Sequence, residues 1–233
     1  MPQEFDFDRA WLDKFSNCLD EAAGEKVRTQ VMAGSEGLSE DTNRREIITW
    51  TQGAMERLES LLDDSQCRVV MTGCACQYPK SDLQDVREAY ESSGDVDLVH
   101  RMLQEKFEEF LINVLNLSDE HFEAVVSRGW GLAGIKEGDT ITATKIPKSD
   151  LLVQYLDESD PQKKREYYCH CPRVRDAVGH GETLPLIHCY CGAGFYKGIW
   201  EEILQEPVEV EVLESVLQGG EVCTIAVHLP PNV

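Results

Sequence analysis

Apolar residues recur at intervals of three and four along the first half of the chain, a spacing that places side chains on one face of a helix. Phe7, Trp11 and Phe15 form the first such stripe. The most regular stripe lies between Asp95 and Asn116. The pattern therefore predicts a series of helices, over residues 4–33, about 42–62, 81–91, 95–116 and 118–127.

The pattern changes in residues 128–137, where glycines become frequent and the helical spacing ends. Residues 140–146 then alternate apolar and polar side chains, as a half-buried strand does. We predict an α+β fold, in which a helical N-terminal region, 1–130, packs on a C-terminal region, 131–233, built of an antiparallel sheet with helices. The two regions are expected to share a core.

The C-terminal stretch combines a helix and a hairpin. Residues from Gly192 to about Leu204 have helical spacing, with small residues in the first turns that allow another backbone or a ligand to approach closely. Residues 208–216 and 223–227 alternate as strands on either side of Gly219-Gly220, which is a two-residue hairpin signal. The pattern predicts that both strands present one apolar face to the core.

This hairpin places a carboxylate on the inward face. With a two-residue turn, Val216 faces Cys223 and Glu214 faces Ile225, so that Glu214 and Cys223 lie diagonally on the side that should be buried. An inward glutamate is costly unless something pairs with it. A metal ion, an arginine and a backbone N–H group all remain open as the partner of Glu214.

The nine cysteines form the strongest compositional signal. Six of them occur as Cys-x-Cys pairs, at Cys74/Cys76, Cys169/Cys171 and Cys189/Cys191. The acidic N-terminal sequence does not resemble a signal peptide, so we expect a cytoplasmic protein with reduced thiols that serve metal or redox chemistry. The first pair lies in a short apolar segment that fits either a helix or a strand.

The last third of the chain carries a motif in which a cysteine precedes a glycine-rich helix, and a hairpin with a glutamate ends in Gly-x-x-Cys. The residues on this motif are Cys189, Gly194, Phe195, Gly198, Glu214 and Gly220-Glu221-Val222-Cys223. The stretch resembles the 4-vinyl-reductase-like domain, a small-molecule-binding module found alone and as the sensor of some aromatic-responsive regulators.

The resemblance implies a zinc site. In the zinc-carrying sensors of that family, the cysteine before the helix, the glutamate and two hairpin cysteines hold the ion, and Cys189, Glu214 and Cys223 match three of these four ligands. The fourth cysteine is absent here, because residues 215–217 are Ser, Val and Leu. The resemblance therefore implies that a thiol of Cys171 or Cys191 completes the site.

Two wider resemblances cover more of the chain. The Cys-His-Cys and Cys-Tyr-Cys-Gly-Ala-Gly-Phe layout is similar to that of an uncharacterised bacterial family. More distantly, the chain resembles the L-2-aminothiazoline-4-carboxylate hydrolase family, whose members have a helical front and cysteines in the back half. This second resemblance implies a thiol- or metal-dependent hydrolase.

The candidate metal ligands have soft or anionic donor atoms and lie within the last 65 residues of the chain. They include both C-terminal Cys-x-Cys pairs. Thiolates favour zinc, with iron as the alternative. Three protein ligands and a water would make the site catalytic, and four would make it structural. The candidates are Cys169, Cys171, Cys189, Cys191, Glu214 and Cys223.

A thiol enzyme is the alternative function. Proline at position 172 suits the first turn of a helix, so Cys171 would lie at a helix N-terminus, which stabilises a thiolate. His170 and His188 each flank a cysteine and could activate it. Cys74 and Cys76 are further candidates, as metal ligands or as a redox dithiol. The catalytic residues thus remain open among these side chains.

The expected ligand is a small apolar or aromatic molecule, and aromatic side chains of the C-terminal region would line its pocket. The net charge of −21 argues against nucleic acid and against an anionic membrane surface as partners. The helical front would cover the pocket or form a homodimer. A plain structural or metal-storage protein is the third possibility. The candidate pocket residues are Trp130, Phe195, Tyr196 and Trp200.

Overall fold

The computed structural model describes residues 6–39 and 41–231. Seven helices lie in the first half of the described chain: α1 Phe7–Ala23, α2 Glu25–Val31, α3 Arg44–Leu61, α4 Asp64–Gly73, α5 Gln84–Ser93, α6 Val96–Asn113 and α7 Asp119–Val126. The second half contains helices α8 Leu152–Asp157, α9 Pro161–Tyr168, α10 Pro172–Gly179 and α11 Tyr190–Leu204, and strands β1 Ile135–Glu137, β2 Thr140–Thr144, β3 Glu209–Glu214 and β4 Thr224–His228.

Six of the described helices begin at a side chain that accepts a hydrogen bond from an unpaired backbone N–H group. Asn43 caps α3, Asp95 caps α6 and Ser118 caps α7. The helices predicted over 81–91, 95–116 and 118–127 are confirmed within a few residues. The segment that fitted either a helix or a strand belongs largely to helix α4. Asp63 and Gln66 form a capping box at the N-terminus of this helix.

Two helix predictions need correction. The first predicted helix, 4–33, is two helices, because Gly24 adopts a φ of 81° between them; its first two residues lie outside the described range. Helix α9 was not predicted, because residues 157–165 are polar and show no apolar stripe. At the start of α9, Asp160 accepts hydrogen bonds from two backbone N–H groups, and proline fills the first helical position.

The four strands form an antiparallel sheet in the order β1-β2-β4-β3. The predicted hairpin exists as β3 and β4, but its connection is longer than a two-residue turn and contains a 3-10 turn at Val216–Gln218. The register shifts between Val212 and Glu214, so that Glu214 pairs with Thr224 and Val212 pairs with Ile225. The predicted pairing of Glu214 with Ile225 is therefore wrong by one position.

The buried side chains form one hydrophobic cluster that crosses the expected boundary at residue 130. Helix α11 lies at its centre, packing on helices α4 and α5 and on strand β3. Its approach to α4 requires Gly194, because a Cβ atom there would lie 2.1 Å from the carbonyl oxygen of Thr72. The α+β prediction, with a helical front and a C-terminal antiparallel sheet, is confirmed.

None of the described helices is both long enough and apolar enough to cross a membrane.

Candidate thiol and ligand site

A cavity of about 100 Å³, which we call the thiol chamber, is lined by Cys76 and by five cysteines from the C-terminal half of the chain. Each of the five lies at or next to the end of a helix or strand: after α9, at the N-cap of α10, at the N-cap and in the first turn of α11, and directly before β4. The five are Cys169, Cys171, Cys189, Cys191 and Cys223.

The buried hydroxyl of Tyr168 fixes two of these segments to the sheet. It accepts a hydrogen bond from the backbone N–H of Cys223 at 2.9 Å and donates one to the carbonyl of Lys145. The backbone N–H of Lys145 in turn donates to the carbonyl of Cys223 at 3.0 Å. The end of α9, and with it Cys169, is thereby held beside the start of β4.

Three chamber thiols have polar partners. The sulfur of Cys171 lies 3.6 Å from Nε2 of His188, and the sulfur of Cys189 lies 3.1 Å from the hydroxyl of Ser215. The thiol of Cys191 donates to the carbonyl of Cys74 at 3.5 Å. Each of these contacts joins groups that are distant in sequence, so the chamber depends on the complete fold.

The remaining chamber wall is largely hydrocarbon. It consists of aromatic and aliphatic side chains from α1, α10 and the sheet, including Phe7, Trp11, Val174, Val212 and Ile225. A water molecule needs two to four polar partners to be held in a cavity, and thiols are weak hydrogen-bonding groups. The chamber therefore suits a soft, sulfur-liganded occupant better than water or a hard cation.

Burial keeps the metal-free thiols protonated. It raises the pKa of Cys189 and of Cys191 to about 12, and the pKa of Cys169 is well above its usual range for the same reason. Burial, with the charge of Arg173, lowers the pKa of His188 to about 3. Cys171 and His188 are consequently neutral at pH 7, because burial also raises the Cys171 pKa. This contact is not a preformed thiolate–imidazolium pair.

A second cavity, of about 260 Å³, adjoins the thiol chamber, and we call it the aromatic cavity. Its wall includes five aromatic side chains and two aliphatic ones: Tyr78, Phe107, Phe110, Phe195, Tyr196, Leu132 and Ile146. Four residues line both cavities: Cys76, Lys145, His170 and Phe195.

Gly131 shapes the wall of the aromatic cavity. Its φ is +114°, and a Cβ atom would lie 2.2 Å from the ring of Phe107. The hydroxyl of Tyr196 donates a hydrogen bond to the Gly131 carbonyl at 3.1 Å. The two polar groups are therefore paired with each other and do not add polarity to the cavity wall. The result is a largely apolar space, lined by hydrophobic and aromatic side chains as small-molecule pockets are.

Lys145 carries the positive charge shared by the two cavities. Its ammonium group lies 5.6 Å from the centre of the Phe195 ring. Within the described residues it forms no ion pair, whereas the other lysine of the aromatic cavity, Lys106, contacts Asp85 at 2.9 Å. Its charge acts on both sides: it opposes the burial-driven rise in the pKa of Cys223, and it adds to the burial that lowers the His170 pKa to about 4.

Behind the chamber, Arg173 is completely buried. Its Nη2 lies 2.8 Å from Oδ1 of Asp8, and its guanidinium lies 4.3 Å from the centre of the Trp11 ring. Oδ2 of Asp8 also pairs with Nη1 of Arg44 at 2.5 Å. These contacts tie α1 and α3 to the start of α10, where Cys171 lies.

Glu214 does not join the cysteines. Its Oε1 accepts hydrogen bonds from the backbone N–H groups of Glu221 at 2.9 Å and Val222 at 3.5 Å. Because paired residues share one face of a sheet, the pairing with Thr224 puts Glu214 on the face opposite Val212 and Ile225. The zinc ligand set implied by the 4-vinyl-reductase-like resemblance, with Glu214, therefore does not fit this structure.

The positions of the possible ligand side chains limit the kind of metal centre that fits. In residues 6–39 and 41–231, no three His, Cys, Asp or Glu side chains are grouped so that they would hold one metal ion. The chamber cysteines surround a space rather than a point.

The other predicted residues lie in several places. Phe195 and Tyr196 line the aromatic cavity, but Trp130 and Trp200 line neither cavity. Trp200 is fully buried in the core, and Trp130 packs against Tyr155 with 6.0 Å between ring centres.

The two cysteines of the first Cys-x-Cys pair lie in different surroundings. Cys76 lies on the wall shared by the two cavities, whereas Cys74 is buried and donates to the carbonyl of Val70 at 3.2 Å. Because the two thiols have different surroundings, the pair does not act as one dithiol unit in this structure.

Sequence reasoning did not identify Lys145, Ser215, Tyr168 or the pair formed by Asp8 and Arg173. An isolated lysine or serine carries no local signal, because its role arises from contacts over long sequence distances. The alternation of residues 140–146 did place Lys145 at the end of a strand, which was the available clue.

No protein-family model, curated protein or solved structure matches this chain.

Proposed function

We propose that this protein binds a small molecule with an apolar body in the aromatic cavity, beside a metal centre held by thiolates of the thiol chamber. The observation that carries the proposal is the convergence of six cysteines on one cavity that shares a wall with an aromatic one. This is a sensor-like binding protein, as the resemblance to the 4-vinyl-reductase-like domain implies.

The metal part of the proposal is supported by the donor atoms. Thiolates select soft metals such as zinc and iron over magnesium or calcium. Binding would release the protons that burial otherwise keeps on Cys189 and Cys191. The affinity for metal should therefore rise with pH until those protons are fully displaced.

The ligand part is supported by the charge of Lys145. A lysine without a carboxylate partner among the described residues, beside an apolar cavity, is suited to an acidic group on the bound molecule. The aromatic rings would contact the apolar body. A small aromatic carboxylate has both features, and this agrees with the distant resemblance to hydrolases of a thiazoline carboxylate.

The cysteine content and the charge of the chain support the proposed location and partners. All nine cysteines lie in the described part of the chain and are free, as expected in a reducing compartment, and we propose a cytoplasmic protein. The excess of acidic residues disfavours nucleic acid and anionic membranes as partners. A homodimer remains part of the proposal, in which the helical front would form the contact.

Metal content tests the proposal, with Cys189→Ser and Glu214→Ala as a matched pair. Cys189 faces the chamber, whereas Glu214 accepts backbone hydrogen bonds on the other face of the sheet. We expect metal in protein purified anaerobically, its loss in Cys189→Ser and its retention in Glu214→Ala. Elemental analysis after dialysis provides the measurement. A metal-free wild-type protein, or loss in Glu214→Ala alone, would contradict the proposed centre.

Replacing Lys145 by methionine should weaken binding of phenylacetate by about ten- to a hundredfold, since a hydrogen bond to a charged group contributes about 1.5–3 kcal/mol. Binding of neutral phenylacetamide should not change. Titration calorimetry measures both, and Lys106→Met is the control because Lys106 is already paired with Asp85. Equal losses for the acid and the amide would mean that Lys145 does not recognise an acidic group.

A thiol enzyme is a second candidate, favoured by the contact of 3.6 Å between Cys171 and His188. Both groups are neutral at pH 7 because burial shifts their pKa values in opposite directions. Alkylation of Cys171 far faster than of the other thiols, in protein that binds no metal, would favour this candidate over the metal centre.

A further inference from the structure

We infer that the thiol chamber holds an iron–sulfur cluster, with Cys169, Cys171, Cys189 and Cys223 as its ligands. The inference rests on the proposed metal centre and names its metal and its ligands.

The donor set matches what a cluster requires. Iron–sulfur clusters are held by cysteine thiolates, commonly four of them. The chamber offers six sulfurs, and the glutamate that would suit a mixed zinc site lies on the other face of the sheet. Sulfur is thus the dominant donor on this wall, surrounded by hydrocarbon, which is the setting that excludes water from a cluster.

The spacing of the sulfurs favours a cluster over one zinc ion. Zinc binds thiolates at about 2.3 Å in a tetrahedron, which brings its four sulfurs within about 3.8 Å of one another. No such grouping of ligands is present among the described side chains. In a cluster the cysteines bind different iron atoms, so their sulfurs stand further apart around a central body. The cavity of about 100 Å³ is several times the roughly 10–15 Å³ that one water molecule needs, so it can hold a body larger than a single ion.

The contacts of the six chamber cysteines decide the ligand set. Cys76 lies on the wall that the chamber shares with the aromatic cavity, and the thiol of Cys191 donates to the carbonyl of Cys74 at 3.5 Å. The other four line the chamber alone, and none of their sulfurs donates to a backbone carbonyl within the described residues. We therefore assign Cys76 and Cys191 to the wall and the other four to the cluster.

The surroundings supply the charge and hydrogen bonds that such a cluster needs. A cluster with four thiolate ligands carries net negative charge, which the ammonium of Lys145 on the chamber wall would offset. Ser215 lies within hydrogen-bonding distance of Cys189, at 3.1 Å, and His188 lies 3.6 Å from Cys171. Hydrogen bonds to the ligand sulfurs are the usual means of stabilising and tuning a cluster.

The wild-type chain provides the first test. Full-length protein is incubated anaerobically with ferric iron, a thiol reductant that converts part of it to ferrous iron, and sulfide, then desalted and analysed for iron, acid-labile sulfide and visible absorption. We expect about two to about four iron atoms and a matching amount of sulfide per chain. One zinc or iron ion without sulfide would overturn the cluster and leave the proposed metal centre standing, whereas no bound metal would contradict both.

Variants test the ligand assignment. Cys189→Ser and Cys223→Ser should lose the visible absorption and the bound iron, and Cys191→Ser, from the same chamber, should keep both. Cys67→Ser is the control for a buried cysteine outside the chamber, because Cys67 contacts the carbonyl of Leu58 instead. Circular dichroism establishes that each variant is folded. A full cluster in both Cys189→Ser and Cys223→Ser, or its loss in Cys191→Ser, would overturn the assignment.

Discussion

Replacing Asp8 by asparagine should lower the free energy of unfolding by about 3–5 kcal/mol, the usual cost of leaving a buried charge without its partner. The exposed fraction of Arg173 is 0%, and Asp8 is the described carboxylate that pairs with it. A neutral amide leaves the guanidinium buried and uncompensated. Because Arg173 lies two residues after Cys171, the N-cap of α10, the same change should also weaken metal binding at the proposed centre.

Urea unfolding of the wild type and the Asp8→Asn variant measures this effect, and Asp13→Asn is the matched control. Asp13 also lies on α1 and also pairs with an arginine, but both side chains are well exposed, at 60% and 62%. An exposed pair of this kind contributes little. If the two variants lost the same small amount of stability, the buried ion pair would not be important for the fold.

Replacing Gly194 by alanine should destabilise the protein by about 3 kcal/mol, at the upper end of the cost of overpacking a core. The added Cβ atom would lie 2.1 Å from the Thr72 carbonyl oxygen and 2.7 Å from its Cα atom. Backbone atoms cannot rotate away as a side chain can, so helices α4 and α11 must separate. That movement would also break the contact between Cys191 and the carbonyl of Cys74.

Gly192→Ala is the control for this variant, because it makes the same change two residues earlier in α11 and no atom lies within 4 Å of the added Cβ. Alanine is a better helix former than glycine, so this variant should be as stable as the wild type or slightly more stable. Thermal and urea unfolding distinguish the two. Equal stability of both variants would mean that the helices adjust without cost.

The local parts of the fold were predictable because short-range periodicity determines them. The amphipathic stripes predicted most helices, and the alternation around Gly219-Gly220 predicted the β3–β4 hairpin. The failure at Glu214 has a specific cause. The connection contains a 3-10 turn and the register shifts after Val212, and a shift of one residue turns a side chain to the other face of a sheet.

The candidate site was predictable in its sulfur atoms and not in its surroundings. The paired spacing of Cys169/Cys171 and Cys189/Cys191 indicated special chemistry, and the structure brings both pairs to one cavity. The position of Trp200 in the core could not be inferred, since a helical stripe gives the same signal for a packed aromatic ring and for one that lines a pocket. Lys145 was missed because tertiary contacts alone give it its role.

Helix α11 extends from one cavity to the other as a single rigid rod. Cys189 at its N-cap and Cys191 in its first turn line the thiol chamber, and Phe195 and Tyr196, one turn further along, line the aromatic cavity. A bound molecule that displaces helix α11 by a fraction of an ångström must also displace those two sulfur atoms. The width of the aromatic cavity and the spacing of the sulfur atoms in the thiol chamber are therefore coupled.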